Sequence, residues 1–329
     1  MIKVVNQHWI RILHIKFGWV QDFDKIVFKY VKYYFYIYFV KSFQLLKVLK
    51  GHKDRVTRVR FSSDGSKLIS SSLDQIVRIW DVVSGRQIQT FKGHSDRVNS
   101  ANFSPDGNTA VTCSSDGTIR LWDVKSGREL MKFEENLNSV FDVNFSPDGK
   151  SIVSSSSDRK IRLWDANSGK EIKKLVCRLS AASSVEFSPD GKMVVTAFED
   201  ATIGLSDVKS GERLKELKLH FFIVLCARFS PDSQFIVSCS RDNTIRIWNV
   251  NSGKLLKILW KNVEDVTFFP DGQIIVSCSS DGTIRLWNVK TWSEIQRLEN
   301  YQSLTCLDVS PDGALIASGT NNATIQIWG

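Results

Sequence analysis

One unit, copied seven times at nearly constant spacing, restricts this chain more than any other feature. The copies read RIWDVVSG (78–85), RLWDVKSG (120–127), RLWDANSG (162–169), GLSDVKSG (204–211), RIWNVNSG (246–253), RLWNVKTW (285–292) and QIWG (326–329). Their anchor positions, Trp80, Trp122, Trp164, Ser206, Trp248, Trp287 and Trp328, lie 42, 42, 42, 42, 39 and 41 residues apart. A second motif keeps the same beat. FSSDG (61–65), FSPDG (103–107, 145–149, 187–191), FSPDS (229–233), FFPDG (268–272) and VSPDG (309–313) each start 19 residues before an anchor. Two motifs locked in phase exclude chance, and a period of about 40 residues belongs to propellers rather than helical repeats.

The second unit shows what each copy builds. VNSANF (98–103) alternates and meets the turn Pro105-Asp106-Gly107. TAVTCSS (109–115) is a second apolar run, closed by Asp116-Gly117, a dipeptide favoured in tight hairpins. TIRLWDV (118–124) is β-rich, and RELMKF (128–133) is a short fourth strand. Four short strands joined by tight turns form an antiparallel meander, with no helical period between them. Such a sheet cannot bury both faces alone, whereas radial stacking of like sheets can.

These motifs make residues 43–329 similar to the WD-repeat (transducin β-subunit-like) family of β-propellers. The fold expected is all-β: a seven-bladed β-propeller of four-stranded antiparallel blades. Strand arithmetic predicts its closure. FQLLKVLKGH (43–52) matches GRQIQTFKGH (85–94), with Leu46 and Leu49 aligned to Ile88 and Phe91. The repeats thus open with a spare outer strand and end, at Gly329, without one. Residues 44–50 are expected to complete the last blade and remove two exposed edges.

The resemblance also implies a buried relay in each blade: a His before the first strand, a Ser or Thr in the second, an Asp in the next turn and the Trp of the third. The set is complete in three units. They carry His52, Ser70 or Ser72, Asp74 and Trp80; His94, Thr112 or Ser114, Asp116 and Trp122; and His220, Ser238 or Ser240, Asp242 and Trp248. Asp158 with Trp164, and Asp281 with Trp287, are partial copies. Recurrence in every blade argues for framework, because a buried indole N–H and imidazole need partners. A catalytic His–Ser–Asp reading fails for the same reason, and no G-x-S-x-G turn presents a nucleophile. The recurring Arg78, Arg120, Arg162, Arg246 and Arg285 are spread round the ring and are read as a packed or solvated strand face. The fourth unit departs most, with Ser206 for Trp and Gly204 for Arg, and is expected to be the loosest blade.

Family binding positions lie at one rim of the central channel, at the start of the first strand and just before the turn Asp. Carried over in register, they include Arg55, Leu73, Arg97, Asn99 and Phe141, then Glu199, Ile223, Leu225, Arg241 and Glu264. Unlike the framework they vary between units. Leu73, Phe141, Ile223 and Leu225 can act as apolar anchors and Arg55, Arg97 and Arg241 as charged ones, a mixture that suits an acidic peptide with apolar residues.

Residues 1–42 stand outside the period. They hold 12 of 36 aromatic residues, with seven Lys or Arg against two Asp or Glu. YYFYIYFV (33–40) is too short to span a bilayer, and no cleavage site follows it. Three readings stay open: packing on the propeller or a partner, peripheral attachment to an anionic membrane, or a translated artefact such as unspliced sequence. The net charge of +9 falls largely there, so the repeats argue weakly for nucleic acid. Apolar and charged fractions of 42% and 24% exclude a disordered, collagen-like or polytopic membrane chain.

Six scattered cysteines with no C-x-x-C pair suit a reduced, intracellular protein, expected in the cytoplasm, with the nucleus open. No G-x-x-x-x-G-K-[ST], H-E-x-x-H or G-x-G-x-x-G motif is present. The expectation is therefore a monomeric, non-catalytic scaffold for proteins or peptides, without cofactor or metal. A scaffold subunit of an RNA-associated complex is the alternative. A propeller hydrolase is a distant third, since Glu199 and Glu264 are the only rim acids.

Overall fold

Every repeat folds as the strand count requires. A computed structural model describes residues 42–133, 138–175 and 180–329. The N-terminal segment lies outside the described residues, apart from Ser42, and so does Cys177, one of the six cysteines. A single outer strand, β1 (Leu45–Lys50), precedes the first blade, which is β2 (Val56–Phe61), β3 (Lys67–Ser72), β4 (Val77–Asp81) and β5 (Gln87–Phe91), paired in that order. The pattern continues to β28 (Thr324–Trp328), giving seven antiparallel four-stranded sheets. The turn between second and third strands needs left-handed backbone. Gly117 (φ 82°) supplies it easily, while Gln75, Arg159 and Asn243 adopt it at φ 68°, 68° and 61°.

The ring closes through its own ends. β1 pairs antiparallel with β28, with Leu45 opposite Trp328, Lys47 opposite Ile327 and Leu49 opposite Ile325. Gln44 and Gly329 exchange both backbone hydrogen bonds, at 3.2 and 3.0 Å. Leu49, 3% exposed, packs with Trp80, Ile325 and Ile327, joining the last blade to the first.

Core clusters lie between blades, and the third-strand tryptophan is their largest member. Phe91 stacks on Trp122 with centroids 5.1 Å apart, and Phe133 meets Trp164 edge-on at 5.6 Å. The fourth blade, expected to be the loosest for want of a tryptophan, still places a buried aromatic ring at its interface with the third. Phe198, at the end of its second strand where the first three blades carry Ser72, Ser114 and Ser156, enters the cluster of Leu163, Leu175 and Phe187 and is 1% exposed. Arg213 lies over its ring at 5.1 Å. Gly204 makes room for both: a Cβ there would stand 3.0 Å from Phe198 Cε2 and from Arg213 Cζ. The ring is supplied by a neighbouring strand. Phe198→Ala should therefore cost about 3 kcal/mol in urea unfolding. A cost below about 1 kcal/mol, the size of a surface substitution, would show that Phe198 does not hold this interface.

Candidate functional site

The relay comes first, because it sets the loops that form the rim. His52 Nδ1 meets Asp74 Oδ2 at 3.0 Å and its Nε2 meets Ser70 Oγ at 2.8 Å, while Trp80 Nε1 donates to the same Oγ at 2.9 Å. His94, Asp116, Thr112 and Trp122 repeat this, as do His220, Asp242, Ser238 and Trp248. The second candidate hydroxyls, Ser72, Ser114 and Ser240, instead donate to the loop carbonyls of Asp54, Asp96 and Phe222. Burial opposes ionisation of Asp74, but bonds from His52 and the Lys53 amide prevail and hold its carboxyl at about 2. Burial lowers the pKa of His220 against the pull of Asp242.

Two units without His keep half of the set. Trp164 Nε1 donates to Ser154 Oγ at 2.8 Å and Trp287 Nε1 to Ser277 Oγ at 3.0 Å. The turn carboxylates there pair with the recurring arginine, Asp158 with Arg162 and Asp281 with Arg285. That arginine is thus an electrostatic partner inside the blade. Each relay hydroxyl is buried under its indole, with Ser70, Thr112 and Ser238 at 0% exposure, so a substrate has no access to it.

The innermost strand of each blade is a free sheet edge, and its backbone needs partners. Side chains of the preceding blade supply them. Thr57 Oγ1 donates to Val98 O at 2.7 Å, Asn99 Nδ2 to Val140 O at 2.7 Å and Thr305 Oγ1 to Val56 O at 2.6 Å. Ser183 makes the same bond to Val224 O. Each of these residues sits where the register slips by one, in a β-bulge near the start of the inner strand. Asn99, expected at the rim for a partner, therefore has its amide committed to the framework. Phe141 and Leu225 occupy the same position in blades three and five without such a bond being possible for their side chains. Leu225 packs against the core beside Val266.

The rim pairs are joined through backbone. Leu73 N donates to Arg55 O, Ser115 N to Arg97 O, Glu199 N to Ala181 O and Arg241 N to Ile223 O, each at 3.0 Å. Arg55, Leu73, Arg97, Asn99, Phe141 and Glu199 then converge, with Thr57, Arg58 and Ser183, on a cavity of about 310 Å³ at the channel mouth. Arg97 Nε is steadied by Ser115 Oγ at 3.0 Å. Ile223, Leu225, Arg241 and Glu264 do not join this cavity; Arg241 is paired with Glu264 at 2.9 Å. Arg58, missed by sequence reasoning, forms part of the floor.

Below the mouth the channel holds charges that the period conceals. Arg228 binds both oxygens of Asp265, at 2.9 and 3.0 Å, and Arg58 lies 3.6 Å from Asp142 and from Asp265. Arg60 pairs with Asp308 at 3.2 Å. The carboxylates also serve the next blade's edge: Val185 N donates to Asp142, Leu307 N to Asp265 and Phe61 N to Asp308. Burial works against the charge on Arg58 and Arg228, but these acids outweigh it and raise both pKa values. Burial raises the Glu186 carboxyl, for which Arg228 and Arg60 do not compensate. Each position is unremarkable in its own repeat. Among the described residues no group of three or more His, Cys, Asp or Glu is placed to hold a metal.

Seven sheets in a sealed ring, with an indole–hydroxyl bond at each tryptophan anchor, define a WD-type propeller, and sequence comparison agrees. The family described as "WD domain, G-beta repeat" matches residues 43–81, 85–123, 127–165, 169–205, 211–249, 253–288 and 292–329, so the chain belongs to it. It is similar to human WD repeat-containing protein 18, 56% identical over 36 residues, which is 11% of this chain and 8% of that protein. It also resembles the periodic tryptophan protein 2 homolog of Schizosaccharomyces pombe, 45% identical over 47 residues, 14% of this chain and 6% of that one. The matched segments thus span under a tenth of these relatives. WD propellers are generally non-catalytic scaffolds that bind proteins or peptides.

Proposed function

We propose that this chain is a non-catalytic scaffold whose channel mouth receives an acidic polypeptide segment with apolar side chains. The observation that carries the reading is the convergence of Arg55 and Arg97 with Leu73 and Phe141 on one concave site. Arginine and aromatic side chains in a partly desolvated hollow are the usual carriers of binding energy. A ring already fixed by inter-blade bonds loses little entropy when it binds. The channel carboxylates Asp142, Asp265 and Asp308 are engaged by arginine and by backbone amides, which argues against hydrolytic chemistry there.

The double variant Arg97→Glu, Phe141→Ala should keep its melting temperature and lose at least tenfold in affinity for partners captured by the wild type. Unchanged capture would remove the mouth as the site. Salt titration separates the RNA-associated alternative. Phosphate contacts along a nucleic acid would make affinity fall steeply with ionic strength, whereas a segment held by Arg55 and Arg97 and also anchored by Phe141 and Leu73 should respond less steeply.

A further inference from the structure

The loop entering blade five carries a surface that the mouth does not use. After the relay His220 come Phe221 and Phe222, 73% and 63% exposed. Their backbone is held by the framework. Phe221 N donates to Asp242 at 3.1 Å, and Phe222 O accepts from Ser240 Oγ at 2.9 Å. Blade one makes the same two bonds with Lys53 N and Asp54 O, and blade two with Ser95 N and Asp96 O. The loop conformation is therefore indifferent to these side chains, and polar pairs serve it equally well.

Trp260 repeats the case at the end of the blade's outer strand, β21 (Leu255–Trp260). It stands opposite Thr244 and is 68% exposed. Lys50, Lys218 and Glu299 hold the matching register opposite Thr324, Thr202 and Thr283. Thr244 and Arg246, two residues apart, share one face of their strand. His220 Nδ1 lies 3.3 Å from Thr244 Oγ1, and the Phe221 ring lies 5.4 Å from Arg246 Cζ. Phe221 and Trp260 thus belong to one corner of one blade.

We propose that this corner is a second docking surface, which takes an acidic segment of another protein bearing one or two large apolar side chains. Exposed aromatics that the fold does not require mark interaction sites. The charge around them sets the partner's sign: the exposed Lys261 directly follows Trp260, and Arg246 lies against the Phe221 ring. A second copy placing the same corner here would bring like charges together. The mouth is lined from the first four blades, so the two surfaces can be separated experimentally.

A random-peptide phage library panned against the full-length protein tests the proposal. Peptides combining acidic and large apolar residues should be enriched. Their affinity should fall at least tenfold with Phe222→Ser, Trp260→Ser and with Lys261→Glu, and be unchanged with Arg97→Glu, Phe141→Ala. All altered positions are exposed except the half-buried Phe141, and circular dichroism melts would verify folding of each variant. No enrichment, enrichment of basic peptides, or binding lost only in the mouth variant would overturn it. Self-association in sedimentation, or binding to anionic vesicles, that Phe222→Ser, Trp260→Ser abolishes would also overturn it by assigning another occupant. Failure of the mouth reading would show separately, in the Arg97→Glu, Phe141→Ala measurement.

Discussion

Deletion of residues 43–50 should collapse the soluble yield and abolish the cooperative melt. The excision removes the outer strand of the last blade and leaves β28 as a bare edge with Ile325 and Ile327 uncovered. It also removes Leu49 from the cluster that joins the last blade to Trp80 of the first. An open edge of this kind templates aggregation. The loss should exceed about 5 kcal/mol, the lower end of a domain's whole stability. Leu49→Asp gives a milder version of the same defect, because it places a charge where side-chain burial is nearly complete. A synthetic peptide of residues 43–50 added in excess should recover part of the folded population, since it restores the missing strand. Unchanged thermal stability of the deleted protein would refute closure by β1.

The second large effect lies in the channel. Asp265→Ala should cost about 3–5 kcal/mol, the usual penalty for leaving a buried charge without its partner. Asp265 is 2% exposed, accepts two bonds from Arg228, faces Arg58 and receives Leu307 N. Adding Arg228→Met to Asp265→Ala should recover at least 1 kcal/mol, because the paired arginine is then no longer stranded. Urea unfolding of both variants measures this coupling. Additive losses would mean that the pair is solvated and that the channel charges do not hold the inner ring.

Blade number, four-strand blades, the sealing strand and the relay were legible because each is written repeatedly, in register. Trp122 and Asp116 could be assigned by counting, and Leu49 by alignment with Phe91. The content of the mouth was legible in half. Arg55, Leu73, Arg97 and Phe141 do converge, but the engagement of Asn99 with Val140 depends on a bulge that periodicity does not mark. Phe198 hid for another reason: it enters the interface of blades three and four from the second strand, whereas the repeated anchor lies on the third.

The sequence by itself determined the sevenfold count, the blade topology and the pairing of head with tail, because local alternation, turns and period are properties of neighbouring residues. The tertiary structure alone decided the charged channel and the aromatic corner of blade five. Arg58 meets Asp142 and Asp265, and Arg60 meets Asp308 248 residues away, only after the ring has closed. Exposure of Phe221, Phe222 and Trp260 is likewise a fact about packing, since an aromatic side chain looks the same in sequence whether the fold buries it or leaves it for a partner.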